Sequence, residues 1–174
     1  MAKALLVIDM LRDFLDKEGS LYIGADSGAV IEKVAARLKE WRQDEGENPV
    51  IYIMDSHLRH DPEFEMFPVH CLAGEWGGEI IDVLAPREDD FLIRKRRYSA
   101  FYGTDLDLIL REKSVQKLEL VGVCTQICVL YTAADARMRH YDVTVRKDCV
   151  ASFDRAAHEF ALNAMEKTLG VKMI

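Results

Sequence analysis

The chain has 174 residues, 49% of them hydrophobic and 30% charged, a balance that excludes a disordered polymer and a bundle of membrane spans. Its 23 basic and 30 acidic residues leave a net charge of −7, the wrong sign for a general nucleic-acid binder, which must neutralise phosphates. One domain over residues 1–174 is expected, since a chain of this length buries roughly two thirds of its extended surface without staples.

The first apolar run, Ala4 to Asp9, reads as a strand. It is too short for the core of a signal peptide, and no small-residue cleavage site follows. The four cysteines (Cys71, Cys124, Cys128, Cys149) are therefore expected to be reduced in a cytoplasmic protein. Residues 13–28 read as irregular, and Val30, Val34, Leu38 and Trp41 then mark one face of a helix. Val50 to Met54 reads as the second strand, residues 57–78 as a long irregular stretch, and Phe91 to Arg94 as the third strand. Leu106, Ile109 and Leu110 form a helical stripe that Thr104 or Asp105 is placed to cap. Lys117 to Val121 is the fourth strand, Cys128 to Met138 a helix, and Val143 to Arg146 the fifth strand. A last helix runs from Ala157 to Leu169, with Asp154 as N-cap and Gly170 as the C′ stop, before a final strand over Val171 to Ile174.

Several strands are apolar at nearly every residue, as strands covered on both faces are. With helices between them, this predicts an α/β fold: a Rossmann-like three-layer sandwich with a parallel six-stranded sheet in the order 3-2-1-4-5-6 and helices on both faces. In such a sheet ligands bind beyond the carboxyl ends of the strands. Asp9 and Asp55 stand at two of those ends, with His57 two residues past Asp55. Lys95 follows the third strand, and Cys128 lies a short turn past the fourth. Taken alone, Cys128 beside Val129 and Leu130 reads more readily as a small buried hydrophobe. Beside a strand-end acid and a lysine it reads as a nucleophile. A helix N-terminus and the Lys95 ammonium are then expected to lower its pKa. Asp9 would carry the proton to the departing amine of an amide.

A second cluster is Asp55-Ser56-His57, Glu63 and Phe67-Pro68-Val69-His70. Two imidazoles and carboxylates suit a borderline divalent ion, zinc, manganese or iron, although Asp-x-His alone is weak and His57, His60 and His70 also read as loop histidines with ordinary hydrogen bonds. His140 and His158, expected on helices, read as surface or hydrogen-bonded residues. The cysteines lack the paired spacings of a zinc module, and neither G-x-G-x-x-G nor G-x-x-x-x-G-K occurs. A phospho-receiver domain also uses strand-end Asp and Lys, but it needs paired acids after the first strand, and Asp55 and Lys95 follow the second and third.

Five segments in order carry a family resemblance: Val7-Ile8-Asp9 with Asp13-Phe14, Asp55-Ser56-His57, Phe67 to Cys71, Lys95 to Phe101, and Gly122 to Val129. The chain resembles the isochorismatase-like cysteine hydrolases, and among them the bacterial nicotinamidases. The resemblance implies a catalytic triad of Asp9, Lys95 and Cys128. It implies a divalent metal, zinc first, on Asp55, His57 and His70 with Glu63 as a further ligand, and substrate-holding aromatics Phe14 and Phe67. A cis peptide before Cys124 would place backbone N–H groups of Cys124 and Cys128 as an oxyanion hole. The implied reaction releases ammonia from a small carboxamide, nicotinamide first, through a thioester. The alternatives are another amide or carbamoyl substrate, or a non-catalytic ligand-binding member. A small-molecule amide is the expected partner, with no nucleic acid and no membrane, and a homo-oligomer is implied. Members acting on isochorismate itself lack the nucleophilic cysteine. Two residues depart from the pattern: Gln126, where nicotinamidases commonly carry Asp, and Cys124, where a small apolar residue is common.

Overall fold

The computed structural model describes residues 2–44 and 48–174. Six strands, β1 (Ala2–Ile8), β2 (Val50–Asp55), β3 (Phe91–Lys95), β4 (Val115–Val123), β5 (Asp142–Ala151) and β6 (Lys172–Met173), form one sheet in the order β3-β2-β1-β4-β5-β6. All five pairings are parallel, as predicted for strands apolar on both faces. The helices are α1 (Arg12–Leu15), α2 (Asp26–Trp41), α3 (Leu106–Glu112), α4 (Leu130–Met138) and α5 (Arg155–Lys167).

The period-two alternation of β1 sorts the core into two layers. Ala4, Leu6 and Ile8 pack with Leu106 and Leu110 of α3, Ala133 and Ala136 of α4, and Met165 of α5. Leu5 and Val7 pack on the opposite face with Phe14 of α1 and Val30, Val34, Leu38 and Trp41 of α2. Each such aliphatic side chain contributes roughly 1.5–3 kcal/mol by leaving water, so the sheet that carries the strand ends is anchored on both faces. No helix among the described residues is long and apolar enough to cross a membrane.

Local chemistry sets most of the boundaries. Asp154 caps α5 by accepting from Ala157 N at 3.0 Å. At α3 it is Thr104 Oγ1 that accepts from Leu106 N, at 3.3 Å, while the N-cap residue Asp105 makes no side-chain cap bond. Gly170 has φ +65° but lies two residues beyond the C-cap Thr168, one place later than the expected C′ stop. Helix α1 falls inside a stretch expected to be irregular; one turn is too short to show a periodic stripe. His140 stands beyond α4 in the left-handed region, φ +66°, and not on a helix.

Gly122 fixes how closely β1 and β4 approach. Its φ is +121°, and a Cβ there would lie 1.9 Å from the Ile8 carbonyl oxygen. Only glycine fits. The contact sits immediately before Asp9 on one strand and two residues before Cys124 on the other.

Candidate functional site

The parallel register does the first part of the assembly. Asp55 pairs with Lys95 across β2 and β3, and Ser56 N donates to the Lys95 carbonyl at 2.9 Å, so an acid and an ammonium leave adjacent strand ends together. Asp9, just past β1, turns into the left-handed region at φ +49°, which Asp tolerates better than most residues. Its Oδ1 accepts the Asp55 N–H at 2.8 Å. Val123–Cys124 is a cis peptide bond. After it the chain makes one wide π-type turn, Thr125–Val129, before α4 begins at Leu130, two residues later than the helix expected from Cys128. This turn carries Cys128.

Lys95 is 1% exposed and its Nζ is the hub of the cluster. It lies 2.5 Å from Asp55 Oδ1, 3.0 Å from Asp9 Oδ2 and 3.3 Å from Cys128 Sγ. One ligand atom each from Asp9, Asp55 and Cys128 falls within 4.8 Å of the others. Asp9 Oδ2 is buried and, apart from its ion pair with Lys95, receives no hydrogen bond of good geometry. It is therefore an acceptor open to the thiol proton.

The electrostatics differ from the sequence expectation in one respect. Burial and the Asp9 carboxylate push the Cys128 thiol well above its ordinary range, and the Lys95 ammonium only partly opposes them. The expected low-pKa thiolate is thus replaced by a thiol beside a base, because two buried carboxylates outweigh one ammonium. Burial and the charge of Asp55 raise the Asp9 carboxyl to about 6 in spite of Lys95. Burial acts the same way on Asp55, but Lys95 and His57 reverse it and hold that carboxyl at about 2. Burial disfavours the charge on Lys95, yet Asp55 and Asp9 keep it firmly protonated.

The second predicted cluster lies alongside. Donor atoms of Asp55, His57 and His70 fall within 4.8 Å of one another. His57 Nε2 is 3.7 Å from Asp55 Oδ2 and 3.9 Å from Glu63 Oε1, and His70 Nε2 is 3.9 Å from Asp55 Oδ2. His70 Nδ1 donates to the Pro68 carbonyl at 2.7 Å, which leaves the Nε2 lone pair turned toward Asp55. His57 Nε2 is buried with no hydrogen-bond partner. Unpaired imidazole nitrogens and a carboxylate oxygen converging at these distances are too far apart for hydrogen bonds and suited to a shared cation. The donor set therefore fits a divalent ion.

Both clusters open onto a small pocket. Phe14, Leu21, Phe67, Tyr98, Ile127 and Phe153 form its apolar walls, and Asp55, Glu63, His70, Cys124 and Cys128 complete the lining. None of these residues is Lys or Arg. Edge contacts from Phe14, Phe64 and Phe67 box the His70 ring, at centroid distances of 5.8, 5.5 and 6.3 Å. Gln126 does not line the pocket, and its Oε1 is buried without a partner, so its departure from the common Asp leaves the walls unaltered. Cys124 does line it, and all four cysteines are free.

Several contributors went unpredicted. Asp13 Oδ2 accepts the Cys71 N–H at 2.6 Å, next to His70, and its Oδ1 accepts Ser20 N at 3.1 Å. Asp61 reaches His57 from behind. His158 Nδ1 lies 2.8 Å from Thr125 Oγ1, on the nucleophile turn. A D-P-x-x sequence at Asp61-Pro62 is a readable helix-start signal, whereas nothing in the sequence joins His158 to Thr125.

The chain belongs to the isochorismatase family: the model of the isochorismatase domain matches residues 3–173. PncA of Bacillus subtilis is 37% identical over 99% of both chains. Its crystal structure, described as that of a nicotinamidase, aligns with a TM-score of 0.92 at 34% identity over 99% of both chains. The N-carbamoylsarcosine amidase of Thermoplasma acidophilum aligns with a TM-score of 0.89 at 33% identity, over 99% of this chain and 95% of that one. The pyrazinamidase of Pyrococcus horikoshii, solved in complex with zinc, aligns with a TM-score of 0.91 at 29% identity, over 100% of this chain and 99% of that one.

Proposed function

We propose that this protein is a cysteine amidohydrolase that releases ammonia from a small, uncharged, aromatic carboxamide, with nicotinamide as the representative substrate. One observation carries the reading: a thiol 3.3 Å from a buried ammonium, beside a carboxylate oxygen with no hydrogen-bond partner, at the base of a pocket with aromatic walls and no Lys or Arg in its lining. A carboxylate-bearing substrate such as N-carbamoylsarcosine would find no Lys or Arg among the lining residues to pair with it. A planar neutral ring meets Phe14, Phe67, Tyr98 and Phe153 instead.

In this reading Asp9 Oδ2 takes the thiol proton as Cys128 Sγ forms a bond to the carboxamide carbon. Backbone N–H groups of Cys124 and Cys128 receive the oxyanion, a contact typically worth about 3 kcal/mol per donor. Asp9 passes its proton to the nitrogen, the C–N bond breaks, and ammonia leaves a thioester. Water then gives a proton to Asp9 and its oxygen attacks the same carbon. The C–S bond breaks, and the thiolate recovers the proton as the carboxylic acid departs. Lys95 remains charged throughout and steadies whichever of Asp9 and Cys128 is anionic. Asp55, His57 and His70, with Glu63 beside them, would hold a divalent ion, zinc first and manganese or iron as alternatives. Such an ion, when bound, supplies a Lewis acid for a heterocyclic nitrogen.

Ammonia release should be measured on nicotinamide, pyrazinamide and N-carbamoylsarcosine with the wild type and Cys128→Ala. Turnover of the two aromatic amides by the wild type alone is expected. Turnover of the carboxylate substrate in preference refutes the substrate class, and activity retained without the sulfur refutes the covalent route. A cytoplasmic homo-oligomer belongs to the same proposal. Tyr102, Met138 and Phe160, each 68% exposed, are apolar surface that self-association would cover, and light scattering on the purified protein tests it.

A further inference from the structure

Asp61 is buried, its side chain 3% exposed, yet it contributes no atom to the pocket or to the triad. Its Oδ2 stands 3.1 Å from His57 Nδ1, on the side of the ring away from Asp55. Arg97 NH1 reaches both carboxylate oxygens, at 3.0 and 3.1 Å, and Oδ1 also accepts the Glu63 N–H at 3.0 Å. Arg97 lies two residues past Lys95, so this ion pair ties the 57–63 loop to the end of β3.

A carboxylate can only accept, so the Nδ1 that faces it carries the proton. The neutral ring then has its lone pair on Nε2, the buried atom that has no partner and lies among Asp55 Oδ2, Glu63 Oε1 and the His70 ring. Were the proton on Nε2, that atom could swing to donate to Asp55 or Glu63, and the ring would offer nothing to a cation. His70 is fixed in the same sense by a backbone carbonyl. His57 has no such carbonyl at Nδ1 and relies on a side chain.

We propose that Asp61, held by Arg97, is a positioning residue that locks His57 in the Nδ1–H tautomer and so keeps Nε2 free to ligate a divalent ion. The inference rests on reading Asp55, His57 and His70 as a metal site. An outer carboxylate of this kind typically changes metal affinity by about 10–100-fold when removed.

Asp61 is also the N-cap of the short turn Pro62–Glu65, so a variant must separate capping from positioning. Asp61→Ser does so. Serine caps as well as aspartate, but its hydroxyl is too short to reach His57. Metal-stripped protein should be titrated with zinc against a chromophoric chelator, with thermal melting as the control for folding. The expected result is wild-type melting and a zinc affinity lowered about 10–100-fold for Asp61→Ser, and a smaller loss for Asp61→Asn, which keeps one acceptor oxygen. Wild-type zinc affinity in Asp61→Ser overturns the proposal. A second readout needs no metal: ¹⁵N spectra of labelled histidine, at a pH where the ring is neutral, should show Nδ1–H for His57 in the wild type and a shift toward Nε2–H in Asp61→Ser. An Nε2–H ring in the wild type also overturns the proposal. Failure of the wild type to take up zinc with the Nδ1–H ring in place would instead overturn the metal reading while upholding the tautomer assignment.

Discussion

Lys95→Met is the most informative single change, because methionine nearly preserves volume and removes only the charge. The ammonium faces Asp55 at 2.5 Å and Asp9 at 3.0 Å, both buried. At an effective dielectric constant near 20, those separations correspond to attractions of about 7 and about 6 kcal/mol. Most of that is offset by the cost of desolvating three charges. The net loss on removing one partner of a buried cluster is about 3–5 kcal/mol, since two carboxylates are left uncompensated. For a chain of this size that is a fall in Tm of roughly 6–20 °C. The pH dependence distinguishes charge from packing. In the variant the folded-state values of Asp9 and Asp55 both rise above those of the unfolded chain, so folding binds protons and stability returns as pH falls toward the unfolded value of about 4. The wild type also protonates Asp9 near 6 on the way down, but its Asp55 stays ionised to about 2. The variant therefore gains one proton more, and the gap closes by about 1.4 kcal/mol per pH unit over that window. Melting of metal-free protein at pH 7.5 and pH 5 is the assay. A difference below about 1 kcal/mol, or one that does not change with pH, would refute the electrostatic account.

Turnover should rise with pH through about 6, where Asp9 loses its proton, because burial and Asp55 lift that carboxyl and only the carboxylate can accept from the thiol; a flat profile between pH 4.5 and pH 8 excludes Asp9 as the base. Gly122→Ala places a methyl group 1.9 Å from Ile8 O at φ +121°, so β1 and β4 must part. A loss above about 4 kcal/mol is expected, and a variant that melts within a few degrees of the wild type contradicts the model of that contact. His158→Leu removes the donor to Thr125 Oγ1, whose own hydroxyl is committed to the Ala151 carbonyl at 3.0 Å. It should cost about 1 kcal/mol and slow turnover, with recovery in His158→Asn. Equal rates in all three forms would show that the nucleophile turn does not depend on this bond.

What was legible in the sequence follows the reach of each physical signal. Strands covered on both faces are largely apolar runs, so Ala4 to Asp9, Val50 to Met54 and Lys117 to Val121 could be placed, and the strand-end rule then put Asp9, Asp55 and Lys95 on one rim. Residues at strand ends inherit their positions from the sheet, and their convergence needs no information beyond topology. The partners behind them, Asp61 on a loop, Asp13 on the single turn α1 and His158 on α5, are brought in by how segments pack, which leaves no periodic trace. Asp61 meets His57 across four residues of irregular chain, Asp13 meets Cys71 across 58 positions, and His158 meets Thr125 across 33. The protonation of Cys128 is hidden from the sequence for a related reason. Helix position and the neighbouring charges can be read from order along the chain, whereas the depth of burial, the largest influence on the thiol, exists only in the folded chain. The strand-end residues are therefore the predictable half of the site, and the groups that orient and tune them become visible only in three dimensions.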